Sequence, residues 1–114
     1  MSDLLDRMRN ERKFSHELNG IMFEIELPTI NYILLNLETD VNKIDFVRQQ
    51  VTGWKEAKES HFIEDGDPKV DVAFHPEVFN EYIVDRPLVA NALFHEIVNK
   101  ATERSTRLNA LGKP

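Results

Sequence analysis

Apolar and polar positions alternate most regularly between residues 13 and 27. Phe14, His16 and Leu18 alternate with Ser15 and Glu17 before Asn19-Gly20. Ile21, Phe23, Ile25 and Leu27 alternate with Met22, Glu24 and Glu26 after it. A period of two is that of a strand with one buried face. Asn-Gly suits the two positive-φ positions of a type I′ turn. The pattern therefore predicts a β-hairpin over 13–27. A lone hairpin is marginal in water, so its apolar face must pack on something. The downstream pattern offers only helices for that purpose.

Elsewhere the spacing is helical. Ser2 is placed to cap a short helix over 2–12, with Leu4, Leu5 and Met8 on one face; fraying of this charged end is the alternative. Pro28 ends the hairpin, and Thr29 is placed to cap a helix reaching Leu37. Its β-prone residues keep a strand open as the other reading. Asp40 is the expected cap of the next helix, where Val41, Ile44, Val47 and Val51 recur, and Gly53 is its expected stop. Residues 55–73, rich in Glu, Lys, Asp, Gly and Pro, predict a surface loop with a short extended piece at 70–74.

Two further helices have clear starts. Pro76 follows His75 at a first helical position, and Val78, Phe79, Tyr82 and Ile83 form the stripe. Asp85-Arg86-Pro87 breaks that helix and opens another, with Ala90, Leu93, Phe94, Ile97, Val98 and Ala101 on one face. Past Thr102 the stripe ends. The pattern predicts a single α+β domain over 1–114, mostly α, with an N-terminal β-hairpin packed on a bundle of about four helices. Segments 1–12 and 103–114 are expected to be frayed termini.

Composition narrows the function. A chain of 114 residues makes one domain. Fourteen basic and 20 acidic residues give a net charge of −6 with no basic block, a poor match to nucleic acid. With no Cys there is no disulfide, thiolate catalysis, zinc–thiolate site or iron–sulfur cluster. The first residues are too charged for a signal peptide, and no apolar run approaches the roughly 18 residues of a membrane span. A soluble, cytosolic protein is the expectation.

Catalytic motifs stop short. Gly20, Gly53, Gly66 and Gly112 lie too far apart for a phosphate-binding loop, and no Ser sits in a nucleophile elbow. His95-Glu96 begins H-E-x-x-H, but Asn99 stands where the second imidazole must be. Asp65, Asp67 and Asp71 surround Gly66, yet the fifth and sixth positions counted from Asp65 hold Lys69 and Val70, where a calcium loop needs an oxygen ligand and a glycine. A solvated acidic loop is the reading. His16, His61, His75 and His95 fall in four different elements. The expectation is a non-enzyme with no cofactor and no metal. An enzyme would need two of these His and a carboxylate to meet in one pocket.

The order of motifs is more informative than any one of them. E-I-E-L-P-T (24–29) is followed by V-T-G-W-K (51–55) and an acidic loop. Then come V-A-F-H-P-E-V-F (72–79), Y-I-V-D-R-P-L-V (82–89) and an amphipathic helix. Over roughly residues 21–101 this order resembles the tail assembly chaperones of long-tailed, siphovirus-like bacteriophages and prophages. Gly53-Trp54-Lys55, Phe74-His75-Pro76-Glu77 and Asp85-Arg86-Pro87 match the family's G-W-K, F-x-P-E and D-R-P steps.

The resemblance implies a non-catalytic protein that binds the tape measure protein, a long helical client with exposed apolar stripes. It implies that the client is kept soluble while tail tube protein polymerises around it, the tube contact being made by a longer frameshifted product. Leu111-Gly112-Lys113 is compatible with the slippery heptamer G GGA AAG. It further implies location in the cytoplasm of the bacterial host and absence from the mature virion. Homo-oligomers are expected, open and head-to-tail. The rival readings are a small structural tail or connector protein of the virion and a bacterial protein-binding adaptor.

A client helix would be recognised in a groove, and net charge would keep such a surface soluble when empty. The candidate contacts are Trp54, Phe62, Phe79, Tyr82, Phe94 and Arg86. The aromatic ones compete with the needs of the core. Trp54 serves either as a core plug or as a partner anchor. Arg86 serves either as part of the helix break or as the partner of an acidic residue in the preceding helix.

Overall fold

A computed structural model describes residues 2–32 and 42–111. In chain order the elements are α1 (Ser2–Asn10), β1 (Lys13–Leu18), β2 (Ile21–Glu26), α2 (Lys43–Gln50), β3 (Val51–Lys55), a single 3-10 turn at Glu59–His61, α3 (Pro76–Val84) and α4 (Pro87–Leu111). The fold is α+β, with the N-terminal hairpin packed against helices.

The hairpin forms for the reason its alternation suggests. Asn19 and Gly20 take φ of 53° and 85°, and β1 pairs with β2 in register from Leu18↔Ile21 to Lys13↔Glu26. A side chain at Gly20 would also meet the His61 ring, with Nε2 2.9 Å from the added carbon. The positive φ of the turn therefore favours glycine there, and a larger residue would also push the His61 ring aside. Ile21, Phe23 and Ile25 are the inward row of β2 and are essentially inaccessible to solvent. Phe46 and Val47 of α2, Phe79, Tyr82 and Ile83 of α3, and Val89, Ala90, Leu93, Ile97 and Ala101 of α4 complete the core.

One expected helix is shorter than its pattern, because the chain turns directly into a third strand. Val51 caps α2, its N–H donating to the Val47 carbonyl, and also begins β3. The sheet is therefore three-stranded, ordered β1-β2-β3 and antiparallel throughout. Gly53 lies inside β3 opposite Glu24 and does not stop a helix. A register shift sets Gly53 opposite Glu24 but Val51 opposite Ile25, leaving Thr52 as the extra residue of a bulge. The inward side chains of β3 are thus Val51 and Trp54, three apart. That interval imitates a helical stripe.

The helix cap also differs from expectation. Asp40 and Val41 lie outside the described residues, and the Asn42 side chain accepts from the N–H groups of Ile44 and Asp45. Such a cap contributes about 1 kcal/mol. Of the helix expected from Thr29 to Leu37, only 30–32 are described; they are helical, and Tyr32 N–H donates to Thr29 Oγ1 at 3.2 Å. The rest of that segment lies outside the described residues.

The termini expected to fray are helical as far as they are described. In α4 the helix runs on to Leu111, where Thr102 and Thr106 return their hydroxyl groups to the carbonyls of Val98 and Thr102. α1 is exposed along 3–10, with Leu4, Leu5 and Met8 among the most exposed large apolar residues. The radius of gyration is 16.0 Å, against the roughly 13 Å of a compact domain of this length. Among the described residues, α1 and the outer part of α4 stand clear of the core.

Candidate interaction surface

The motifs singled out in the sequence converge on α3. His75 caps this helix by accepting from Glu77 N–H at 3.2 Å, and Pro76 occupies its first turn. The stripe of α3 then lays Phe79 and Tyr82 on Phe23 of β2, with ring centroids 6.0 and 6.3 Å away. Trp54 of β3 enters the same cluster, 4.9 Å from Phe74, 5.3 Å from Phe62 and 6.1 Å from Phe79. The contacts of Trp54 with Phe74 and Phe79 are edge-on, an arrangement that aromatic quadrupoles favour, and the others are tilted.

This placement corrects the list of candidate contacts. Trp54, Phe79 and Tyr82 are buried, so they build the domain and present no exposed anchor. The Trp54 indole N–H donates to the Val72 carbonyl at 2.7 Å, which pins the end of the acidic loop to the sheet. Phe62 is half-buried against Trp54 and Tyr82. Phe94 is half-buried outside this ring cluster, 5.4 Å from Phe46 with the Lys43 ammonium 5.2 Å from its ring.

Of the two readings of Arg86, its part in the helix break holds and the ion pair does not form. No acidic residue of α3 forms an ion pair with it among the described residues. Its guanidinium lies 4.4 Å from the centre of the Tyr82 ring and donates to the carbonyls of Tyr82 and Phe62, at 3.1 and 3.2 Å. The end of α3 is thereby fastened to the loop. Burial raises the Tyr82 phenol above its ordinary value, against the lowering effects of Arg86 and of a hydrogen bond with Asn19. At neutral pH the phenol is uncharged.

The acidic loop has more order than its composition conveys. A bridge joins Lys58 to Asp71, backbone to backbone, and their side chains form an ion pair. The His61 Nδ1 accepts from Lys58 N–H at 2.9 Å. Among the described residues, no three His, Cys, Asp or Glu side chains gather in a metal-binding group. His16 lies 3.9 Å from Glu96, on the opposite side of β1 from its exposed row.

Two open grooves flank α3. One, of about 480 Å³, has Val51, Phe74 and Phe79 in its floor and Arg48, Glu77 and Glu81 at its rim. The other, of about 430 Å³, is lined by Phe62, Ile63, Val78 and Tyr82 with Glu81, Asp85 and Arg86. Ile63 is 56% exposed and Val78 37% exposed. Sequence reasoning missed Ile63 and Glu81 and expected Val78 in the buried stripe of α3, whereas Val78 is exposed beside the groove, because an apolar residue's neighbours across space are not visible in the sequence. No described helix is long and apolar enough to cross a membrane. Comparison with known protein families, with characterised proteins and with solved structures finds no match for this chain.

Proposed function

We propose that the chain is a phage tail assembly chaperone that holds amphipathic helices of a tape measure protein along α3. The observation that carries this reading is the pair of grooves sharing Glu81, each with an apolar floor and carboxylates at its edge. A helix with an apolar stripe flanked by basic residues complements both features. Support also comes from the position of the matched motifs: the G-W-K, F-H-P-E and D-R-P steps form or fasten the walls of these grooves. The role is binding without catalysis, in the host cytoplasm, by a protein absent from the finished particle. Contact with the tail tube protein would come from a longer frameshifted product.

Co-expression tests this directly. The tape measure protein encoded alongside is expected to move from the insoluble to the soluble fraction when this chain is present. Glu81→Lys is expected to reduce that soluble fraction several-fold, since it reverses the rim charge of both grooves. A client that stays insoluble with and without the chain would defeat the proposal. Recovery of the chain in purified virions by mass spectrometry would favour a structural tail protein instead.

A further inference from the structure

We propose that two copies of this chain pair through their β1 edges to form a continuous antiparallel sheet about a two-fold axis. This inference stands apart from the chaperone reading, since it uses only the sheet. β1 is an outer strand of the sheet. Its six residues contain no Pro, no Gly and no register shift, so nothing interrupts the edge, and the charges that would guard it, Lys13 and Glu17, are of opposite sign. The opposite edge is blunted: β3 is interrupted by its bulge and by Gly53.

Hydrogen-bond parity selects the register. The two-residue turn makes Leu18↔Ile21 a mutually bonded pair, and bonded pairs then recur at every second residue. Phe14, His16 and Leu18 therefore spend their backbone groups on β2. Lys13, Ser15 and Glu17 turn theirs outward, where no partner exists among the described residues. An antiparallel pairing centred on Ser15 sets Ser15 against Ser15 of the second copy and Lys13 against its Glu17, on both sides of the axis. Every outward N–H and C=O is then matched in parity.

Side-chain chemistry agrees with that register. Lys13, Ser15 and Glu17 form the exposed row of β1, so each Lys13 ammonium would stand directly across from a carboxylate. Shifting the centre by one residue toward the N-terminus sets Glu11 against Glu17, and shifting it the other way leaves Lys13 opposite Asn19. Only the pairing centred on Ser15 matches opposite charges twice. The same register carries the exposed helix α1 to the hairpin turn of the second copy, since Glu11 would fall opposite Asn19. The assembly is an isologous, closed pair, in contrast to the open head-to-tail form.

Charge exchange tests the proposal in the full chain. Sedimentation velocity on the wild type is expected to show a species of twice the 13.3 kDa of one chain. Lys13→Glu and Glu17→Lys each place two like-charged pairs across the axis, and each is expected to weaken the dimer roughly tenfold. The double variant Lys13→Glu/Glu17→Lys is expected to restore it. Ser15→Pro removes the central outward donor and should leave a monomer whose circular dichroism is that of the wild type. A wild type that stays monomeric at millimolar concentration overturns the proposal. So does a dimer indifferent to the single reversals, or one that the double exchange fails to recover.

Discussion

Trp54→Ala is expected to lower the melting temperature by roughly 12–20 °C, corresponding to about 3–5 kcal/mol for a truncated core tryptophan in a domain of this size. The indole is 8% exposed and touches rings from every side of the α3 cluster. Its removal opens a cavity between β3, α3 and the loop, and it frees the Val72 carbonyl that the indole N–H now satisfies. Trp54→Phe separates these contributions. It keeps most of the packing and loses the hydrogen bond, so about 1–3 kcal/mol should go. Far-UV circular dichroism is the suitable readout, because Trp54 is the sole tryptophan and its fluorescence vanishes with it. Equal stability of the alanine variant and wild type would remove Trp54 from the core.

Arg86→Ala should cost about 2–3 kcal/mol, through two hydrogen bonds from a charged donor and a stacked ring contact. Arg86→Lys is the sharper variant. A lysine keeps the charge but cannot span the Tyr82 and Phe62 carbonyls with one planar group while lying over the Tyr82 ring. It should therefore recover less than half of the loss in a urea midpoint. Limited proteolysis adds a local measure: cleavage near Phe62 should quicken in both variants. Full recovery with lysine would mean that charge alone matters, and the fork would have no role.

Much of the architecture was readable before the structure because local and tertiary preferences agreed. Asn19-Gly20 named its own turn, and the alternation on either side told which face would be covered. His75-Pro76 and Arg86-Pro87 placed the starts of α3 and α4 within a residue. β3 escaped for a specific reason. Its bulge spaces Val51 and Trp54 three apart, following Val47 at four, which is the helical interval. Its partner β2 is distant in sequence, so no turn residue announces the pairing.

The interaction surface was less legible. Aromatic residues at core spacing and at contact positions look alike in a sequence, and only neighbours across space separate Trp54, inside, from Phe62, at a groove wall. Arg86 shows the same limit in its chemistry. The sequence leaves open an ion pair with an acidic residue of α3 beside a part in the helix break, and only the structure shows one carbonyl at the helix end, Tyr82, and one in the loop, Phe62, within reach of the same guanidinium.

Helix α4 joins two thermodynamic regimes in one element. Through Ala101 its residues close the core, whereas none of the described residues after it is buried. That outer stretch extends about 15 Å at the rise of an α-helix. Its backbone hydrogen bonds open without exposing the core, so their opening free energy is small and local. Amide hydrogen exchange should therefore slow by orders of magnitude from Leu108 back to Ile97 along a single unbroken helix. The half near the core would report global unfolding, and the outer half only its own helix–coil equilibrium.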